Sequence, residues 1–559
     1  MPQTGQRSAT VSTPTKYLGR LRARSVHNLT EDVAPCCLGT EAARGCRRSA
    51  SDISSALWSI PLLRSTWAVS HASFANMSNR PAIDPAAILF KGVGTWGAIA
   101  VAVAGMAPTM AMNLNPQEPA EHVGRVVPLV FLLSTVVVLL VAWCFARLAH
   151  EHPNAGSAYG FVAAILGPRA GLVAGWTLLG TYLCFAIVGL GAFGLFGANL
   201  LQRLDLWRDA SSLGLTVLAA VVLAPLSIVP ARRAGLVLII LEGVAVVAMV
   251  LMACAVLLLV AQGHGPQNDA PLRDLLVPAA GVGASAIALG LSFGLLSFAG
   301  FEQVATLGEE VTKSRFTIPR VLIGTVLGAG VVFTLVTAAE TLGFGTDRAG
   351  LARFTTSTSL LADLSARYFG GWSGDLFDGL AICSALGGAL ASIVAASRIL
   401  FALSRDLLPS SPMARVSAAS GTPRDAAVCV LLATIVGYLA MRVGFRASGS
   451  DAFFWGSTLG ALALLVAYLL VVVSAAGALM RPSGQGTRWL LFIPALAAVA
   501  IAYTLWVNVY PPQPGAYRVI PWIVLAWCCV PLIATLLHPR LLDLVTSGCL
   551  AVSARMKQD

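Results

Sequence analysis

Apolar blocks, each long enough to cross a bilayer, recur from residue 94 to residue 537, and they constrain this chain more than anything else in it. An α-helix rises 1.5 Å per residue, so about 20 residues span the roughly 30 Å of bilayer hydrocarbon. In lipid the backbone must satisfy its own hydrogen bonds, which leaves helices or closed barrels. Barrel strands alternate in polarity. Ser134–Ala146 and Val244–Ala261 are apolar on every face, so they read as helices. Twelve such cores are expected, at 94–112, 126–146, 171–198, 213–230, 234–261, 279–307, 320–343, 376–403, 425–443, 452–480, 489–509 and 519–537. Composition excludes the soluble alternative. Only 11% of residues are charged and 57% are hydrophobic, whereas a soluble surface needs about 25% charged residues.

The charges locate the ends. Twelve spans place both termini on one side. With that side cytoplasmic, the inner loops and C-terminal tail hold 16 Lys and Arg and the N-terminal segment 11. The outer segments hold 10, matched by 10 Asp and Glu. The net charge of +11 is then an orientation signal for a multi-pass plasma-membrane protein rather than a nucleic-acid footprint. Residues 1–85 are basic and rich in Ser and Thr, and are expected to be a disordered cytoplasmic tail. A transit peptide and a start at Met77 are the other readings of this segment. Residues 86–540 form the helical domain, and 541–559 a short cytoplasmic C-terminal tail.

Enzyme chemistry has no foothold. The eleven Cys are scattered without metal or redox spacing and the seven His are sparse, so no metal site and no cofactor are expected. Gly189–Gly194 matches a dinucleotide-binding pattern but lies inside an apolar span, where small residues pack helices. No nucleophile set accompanies the membrane carboxylates, so no catalytic residue is assigned.

Two spans are interrupted. Val103–Pro116 contains Gly105, Pro108 and Pro116, and Leu295–Glu310 contains Gly300 followed by Glu302. Such breaks free backbone groups, which lipid tolerates only beside a cavity. The span-one break alone reads as an ordinary kink. Two breaks five spans apart point to an inverted-repeat transporter, whose substrate sits at the interrupted helices.

Ser297–Gly324 resembles span six and its following loop in the amino acid–polyamine–organocation permeases. His152–Trp176 and Ala395–Pro409 are similar to that family's landmarks after span two and at the exit of span eight. Two departures stand out: Lys313-Ser314-Arg315-Phe316 replaces an Asn-Pro motif, and Gly105-Met106-Ala107-Pro108 replaces a glycine-rich segment. The resemblance implies an all-α membrane protein with twelve transmembrane helices, in a LeuT-type 5+5 inverted repeat plus two C-terminal helices. It also implies a secondary active transporter of amino acids or related amines. Carried over by position, Gly105, Met106, Ala107, Pro108 and Thr109 line one side of the substrate site. Ser297, Phe298, Ala299, Gly300 and Phe301 line the other, with Phe298 or Phe301 as a gate or as plain packing.

Four carboxylates fall within spans: Glu242, Glu302, Glu340 and Asp378. An ionisable group there is costly and is a functional hypothesis by default. Glu302, beside the break, and Glu242, in span five, are the proton-coupling candidates, against a structural-acceptor role for Glu302. Glu340 and Asp378, near span ends, are expected to reach the interface. Glu309, Glu310 and Arg320 read either as an inner gate or as a solvated loop cluster. The expected partners are therefore an amino acid or amine, protons and the lipid bilayer, with no nucleic acid. An uncoupled exchanger, a polyamine transporter and a transporter-like substrate sensor are the alternatives.

Overall fold

The computed structural model describes residue 89 and residues 92–555, apart from 153–155, 229–230, 267–271, 280, 418–419 and 482–487. The side chains of 231–239, 241, 272 and 549–555 are also outside it. The expected N-terminal tail and the Met77 start lie outside the described residues.

The described residues are helical throughout, and their one β-bridge joins Val93 to Val311. In chain order the helices are α1 (Thr95–Met106), α2 (Pro108–Leu114), α3 (Gln117–Val123), α4 (Val127–Glu151), α5 (Ala158–Leu166), α6 (Pro168–Arg203), α7 (Ser212–Ser227), α8 (Ala231–Leu259) and α9 (Ala284–Phe298). A 3-10 segment, Phe301–Leu307, follows. Then come α10 (Ser314–Phe344), α11 (Arg348–Thr356), α12 (Leu360–Phe369), α13 (Gly371–Leu407), α14 (Arg424–Leu439), α15 (Gly449–Met480), α16 (Phe492–Val509), α17 (Ile520–Leu537) and α18 (Arg540–Arg555).

Ten helical stretches among the described residues are long and apolar enough to cross a membrane. An eleventh is α9 with its 3-10 segment, bent by 42°. The fourth expected core falls on α7, which is apolar but only 16 residues long. That length is about 24 Å of helix, short of the hydrocarbon thickness.

Helix ends follow local chemistry. Pro128 and Pro168 sit in the first turns of α4 and α6, where an N–H has no helical partner to lose. Ser448 caps α15 by accepting from Asp451 N, and Asp451 reaches back to Ser448 N, a reciprocal box that fixes the start. The lipid-facing pattern is inverted relative to a soluble protein: Leu251, Val331, Val436 and Val499 are each 65–66% exposed.

Inside, α6 packs along α13 and α15, and α4 along α10. Small residues set the spacing. A Cβ on Gly189 would lie 2.8 Å from Ala385 O of α13, so the glycine-rich run in α6 is a helix contact, as its apolar setting implied. α13 carries Asp378 near its start and Arg398 twenty residues later, about 30 Å along the axis. The C-terminal segment is a helix that packs on the protein: in α18 Val545 is fully buried, and a Cβ on Gly548 would lie 2.5 Å from the Asp406 carboxyl carbon.

Candidate functional site

The two interrupted spans cross at their breaks. α1 stops at Met106 because Ala107 turns into the left-handed region, with φ 44° and ψ 62°. For a residue with a Cβ this costs about 1 kcal/mol or more. Pro108 then opens α2 without needing a hydrogen-bond partner. α9 stops at Phe298, and Gly300 at φ 112° redirects the chain into the 3-10 segment. At the crossing, backbone meets backbone. A Cβ on Gly300 would overlap the Gly105 carbonyl group and lie 2.7 Å from Met106 N. A Cβ on Gly105 would lie 2.6 Å from Gln303 Oε1 and 2.8 Å from Gly300 O. Gln303 Nε2 donates to Ser392 Oγ of α13 at 3.1 Å, and Asn115 Nδ2 donates to Ser297 Oγ at 2.9 Å. These bonds tie both breaks to each other and to α13.

A cavity of about 30 Å³ borders the crossing, room for one or two waters. Of the ten expected substrate contacts, Gly105, Met106 and Ala299 line it. The rest of the wall comes from Met110, Ala111, Asn115 and Leu296 on the broken helices. Phe185 and Val188 on α6, Gly388 and Ser392 on α13, and Phe453 and Ser457 on α15 complete it. Its polar side chains are Asn115, Ser392 and Ser457, and no acidic residue is among those that line it.

The other expected contacts face elsewhere. Phe298 packs edge-on against Phe333 at 5.1 Å, and Phe301 packs between Phe145 and Tyr468, so both rings sit in the core. Ser297 serves Asn115, and Thr109 is fully buried. Pro108, Met106 and Arg320 line a separate, largely apolar cavity of about 520 Å³ between α1, α8 and α10.

The membrane carboxylates are all buried. Glu302 Oε2 accepts from Gly300 N at 3.0 Å and from Tyr468 Oη at 2.8 Å, which fixes the bend after α9. Glu242 Oε2 accepts from Ser384 Oγ at 3.2 Å, and Ser384 Oγ in turn accepts from Met110 N at 3.3 Å. Glu242 is thereby connected to the first turn of α2. Glu340 and Asp378, expected at the interface, are instead 0% exposed. Helix α10 runs on past Glu340 to Phe344, and α11 and α12 fold over that end, which encloses it.

Each end of the bundle carries a polar cluster. At one end Arg398 grips Glu310 through Nε and Nη2, at 2.8 and 3.3 Å, and Arg405 grips Glu309 at 3.2 Å. Tyr159 Oη donates to Asp406 at 2.7 Å. Gly92 N and Val93 N donate to Glu310 O, which closes the chain before α1 over the same cluster. Glu309 and Glu310 are 7% and 3% exposed, so this is no solvated loop. Arg320 is exposed and lies on the wall of the other cavity. Arg398 and Arg405 were missed in the sequence, although an Arg inside the apolar run Ala395–Leu403 was a usable signal.

At the other end Asn113 Oδ1 accepts from Ser359 Oγ and from Leu361 N, both at 2.9 Å. Ser359 Oγ is also 2.7 Å from Asp378 Oδ1, and Asp378 Oδ2 is 3.1 Å from Arg203 Nε. Arg203 reaches Asp363 of α12 as well. Together these hold the loop before α12 against α2 and α13.

The amino acid permease family model matches residues 97–537. The chain is 26% identical over 361 residues to the branched-chain amino acid permease BcaP of Lactococcus lactis subsp. cremoris, covering 61% of this chain and 74% of that one. It is 28% identical over 384 residues to an uncharacterized transporter of Mycobacterium tuberculosis, covering 67% and 78%. A shorter match, 25% over 211 residues, joins it to the low-affinity putrescine importer PlaP of Escherichia coli, covering 38% and 45%.

Proposed function

The chain belongs to the amino acid permease family, and from that premise we propose that it is a proton-coupled secondary transporter of amino acids with apolar side chains, working by alternating access. The observation that carries this reading is the crossing of two broken helices, backbone on backbone, beside a small cavity. A substrate placed there meets free backbone groups from both breaks, and the walls of Phe185, Val188, Leu296 and Phe453 suit an apolar side chain. A diamine needs a carboxylate at its far end, and the lining residues supply none. This favours an amino acid over a polyamine.

In this reading α7 and the bent α9 segment complete twelve spans of a LeuT-type 5+5 repeat with two added helices. The protein sits in the plasma membrane with both termini in the cytoplasm. The Arg398–Arg405 cluster is then the inner gate and the Asn113–Asp378 cluster the outer gate. Both are closed, and the cavity is correspondingly small. Glu242 is the favoured proton carrier, because one carboxylate oxygen is bound by Ser384, which also holds Met110 of the broken helix. Glu302 acts on coupling through the bend that it fixes.

The test is uptake of radiolabelled leucine by the full chain in proteoliposomes with an acidic exterior. Accumulation that a protonophore abolishes, and that putrescine does not compete, is expected. Glu242→Gln is expected to bind leucine and exchange it but not to accumulate it. No leucine uptake, or leucine uptake that putrescine blocks, refutes the substrate class. Accumulation that survives the protonophore refutes the coupling and leaves an exchanger.

A further inference from the structure

Glu340 has no role in the reading above. It lies on the face of α10 that carries Phe333, Val336 and Thr337, all fully buried. That face looks into the protein, where Phe333 packs on Phe131 of α4 and Phe298 of α9. One turn beyond Glu340, Tyr368 Oη donates to Gly343 O and Arg353 Nη2 to Phe344 O, both at 3.2 Å, so α11 and α12 cover this end of α10. Glu340 itself is 0% exposed, and neither of its carboxyl oxygens has a hydrogen-bond partner among the described residues.

A buried polar group without a partner calls for an explanation, and a carboxylate in a membrane helix most of all. Charged groups on the packed elements do not supply one. Asp363 is held by Arg203 and Ser357, Asp378 by Arg203 and Ser359, Asp347 by Gly350 N and Arg353 by the Phe344 carbonyl, and Arg348 and Arg367 are exposed. Arg147, His150 and Glu151 lie at the far end of α4, beside Arg315. Glu242 and Glu302 are bound to Ser384 and to Gly300 with Tyr468. α1 and α2 carry no charged residue. An isolated carboxylate in such surroundings takes up a proton rather than stay charged. Water reaching it reverses that preference.

We propose that Glu340 is a further proton-binding residue of the transport cycle: it takes up a proton each time the α11–α12 cover closes and releases it each time the cover lifts. Closure is then favoured by acid and opening by rising pH. This rests on the alternating-access reading but not on which group carries the coupled proton.

Hydrogen–deuterium exchange of segment 348–369 tests it, using the full chain in lipid nanodiscs from about pH 5.5 to about pH 8.5. After correction for the intrinsic pH dependence of exchange, wild-type exchange in this segment is expected to rise with pH, by up to about tenfold per unit. Glu340→Gln is expected to be slow and flat. A flat wild type, or a Gln variant with the wild-type slope, overturns the proposal. Should the variant fail to fold, carbodiimide labelling of the wild type decides, because that reagent modifies a protonated carboxyl in apolar surroundings. Modification at Glu340 under acid supports the proposal, and an unmodified Glu340 overturns it. A wild type whose uptake ignores the proton gradient removes the coupling reading and leaves this result standing.

Discussion

The two ends of the bundle are closed by different chemistry. Around Arg398 and Arg405 the closure is ionic and dry: the paired side chains are 2–7% exposed, with three carboxylates facing two guanidinium groups. Around Asn113 neutral hydrogen bonds are joined by ion pairs of one half-exposed arginine: Arg203, 27% exposed, reaches buried Asp378 and, further out, Asp363, which is 36% exposed. A desolvated pair resists losing one member but gains little over an apolar substitute. Neutral hydrogen bonds of this kind contribute about 1 kcal/mol each. The first end should therefore open only when water reaches several charges together, and the second by stepwise loss of small terms.

Substitutions at four places break or sharpen that contrast, the largest effect first. Gly300→Leu, or Gly105→Leu, forces side-chain atoms into the backbone crossing on which both ends depend. Uptake is expected to fall to background while fluorescence-detected size exclusion still shows a monodisperse peak. Normal uptake by both variants would place the substrate site elsewhere.

Arg398→Met leaves Glu310 buried without its cation. The expected loss is about 3–5 kcal/mol, seen as a lowered Tm or little folded protein in the membrane. Adding Glu310→Gln should restore most of it, because a neutral pair has no charge to strand. A single variant as stable as wild type removes the ionic account of this end.

At the opposite end, Asn113→Ala strands Leu361 N, while Ser359 Oγ keeps Asp378. About 1–3 kcal/mol is expected, with folding preserved and the α12 segment opening more often, measured by hydrogen exchange. A loss as large as that of Arg398→Met would erase the contrast. Asp363→Asn is the smallest step. It should cost below about 1 kcal/mol and fade in high salt, as exposed pairs do, which a salt series of thermal melts checks.

Much of this was legible in the sequence, and what was not has a physical reason. The long apolar helices and both breaks could be read, though not the full count of twelve, because hydropathy runs and Gly or Pro are local signals. Gly105, Met106 and Ala299 reach the cavity while Phe298 and Phe301 do not, because a contiguous stretch of helix points its residues all round. The sequence points to Glu309 and Glu310, but their partners lie 96 and 88 residues away, whereas Arg320 is merely near in the chain. Glu340 and Asp378 looked interfacial because no hydropathy window shows α11 and α12 folding over them.

The placement of Asp378 and Arg398 on one unbroken helix has a mechanical consequence. α13 acts as a beam with a fastening near each end, about 30 Å apart. A tilt of about 5° about its middle displaces the two fastenings by a little over 1 Å in opposite directions, taking about 15 Å for each arm. That is enough to stretch the 2.7 Å Ser359–Asp378 bond or the 2.8 Å Arg398–Glu310 bond past its useful range. In the proposed alternating-access cycle, a single rigid lever of this kind would loosen one end as it tightened the other, with no separate messenger to keep the two sides from opening together.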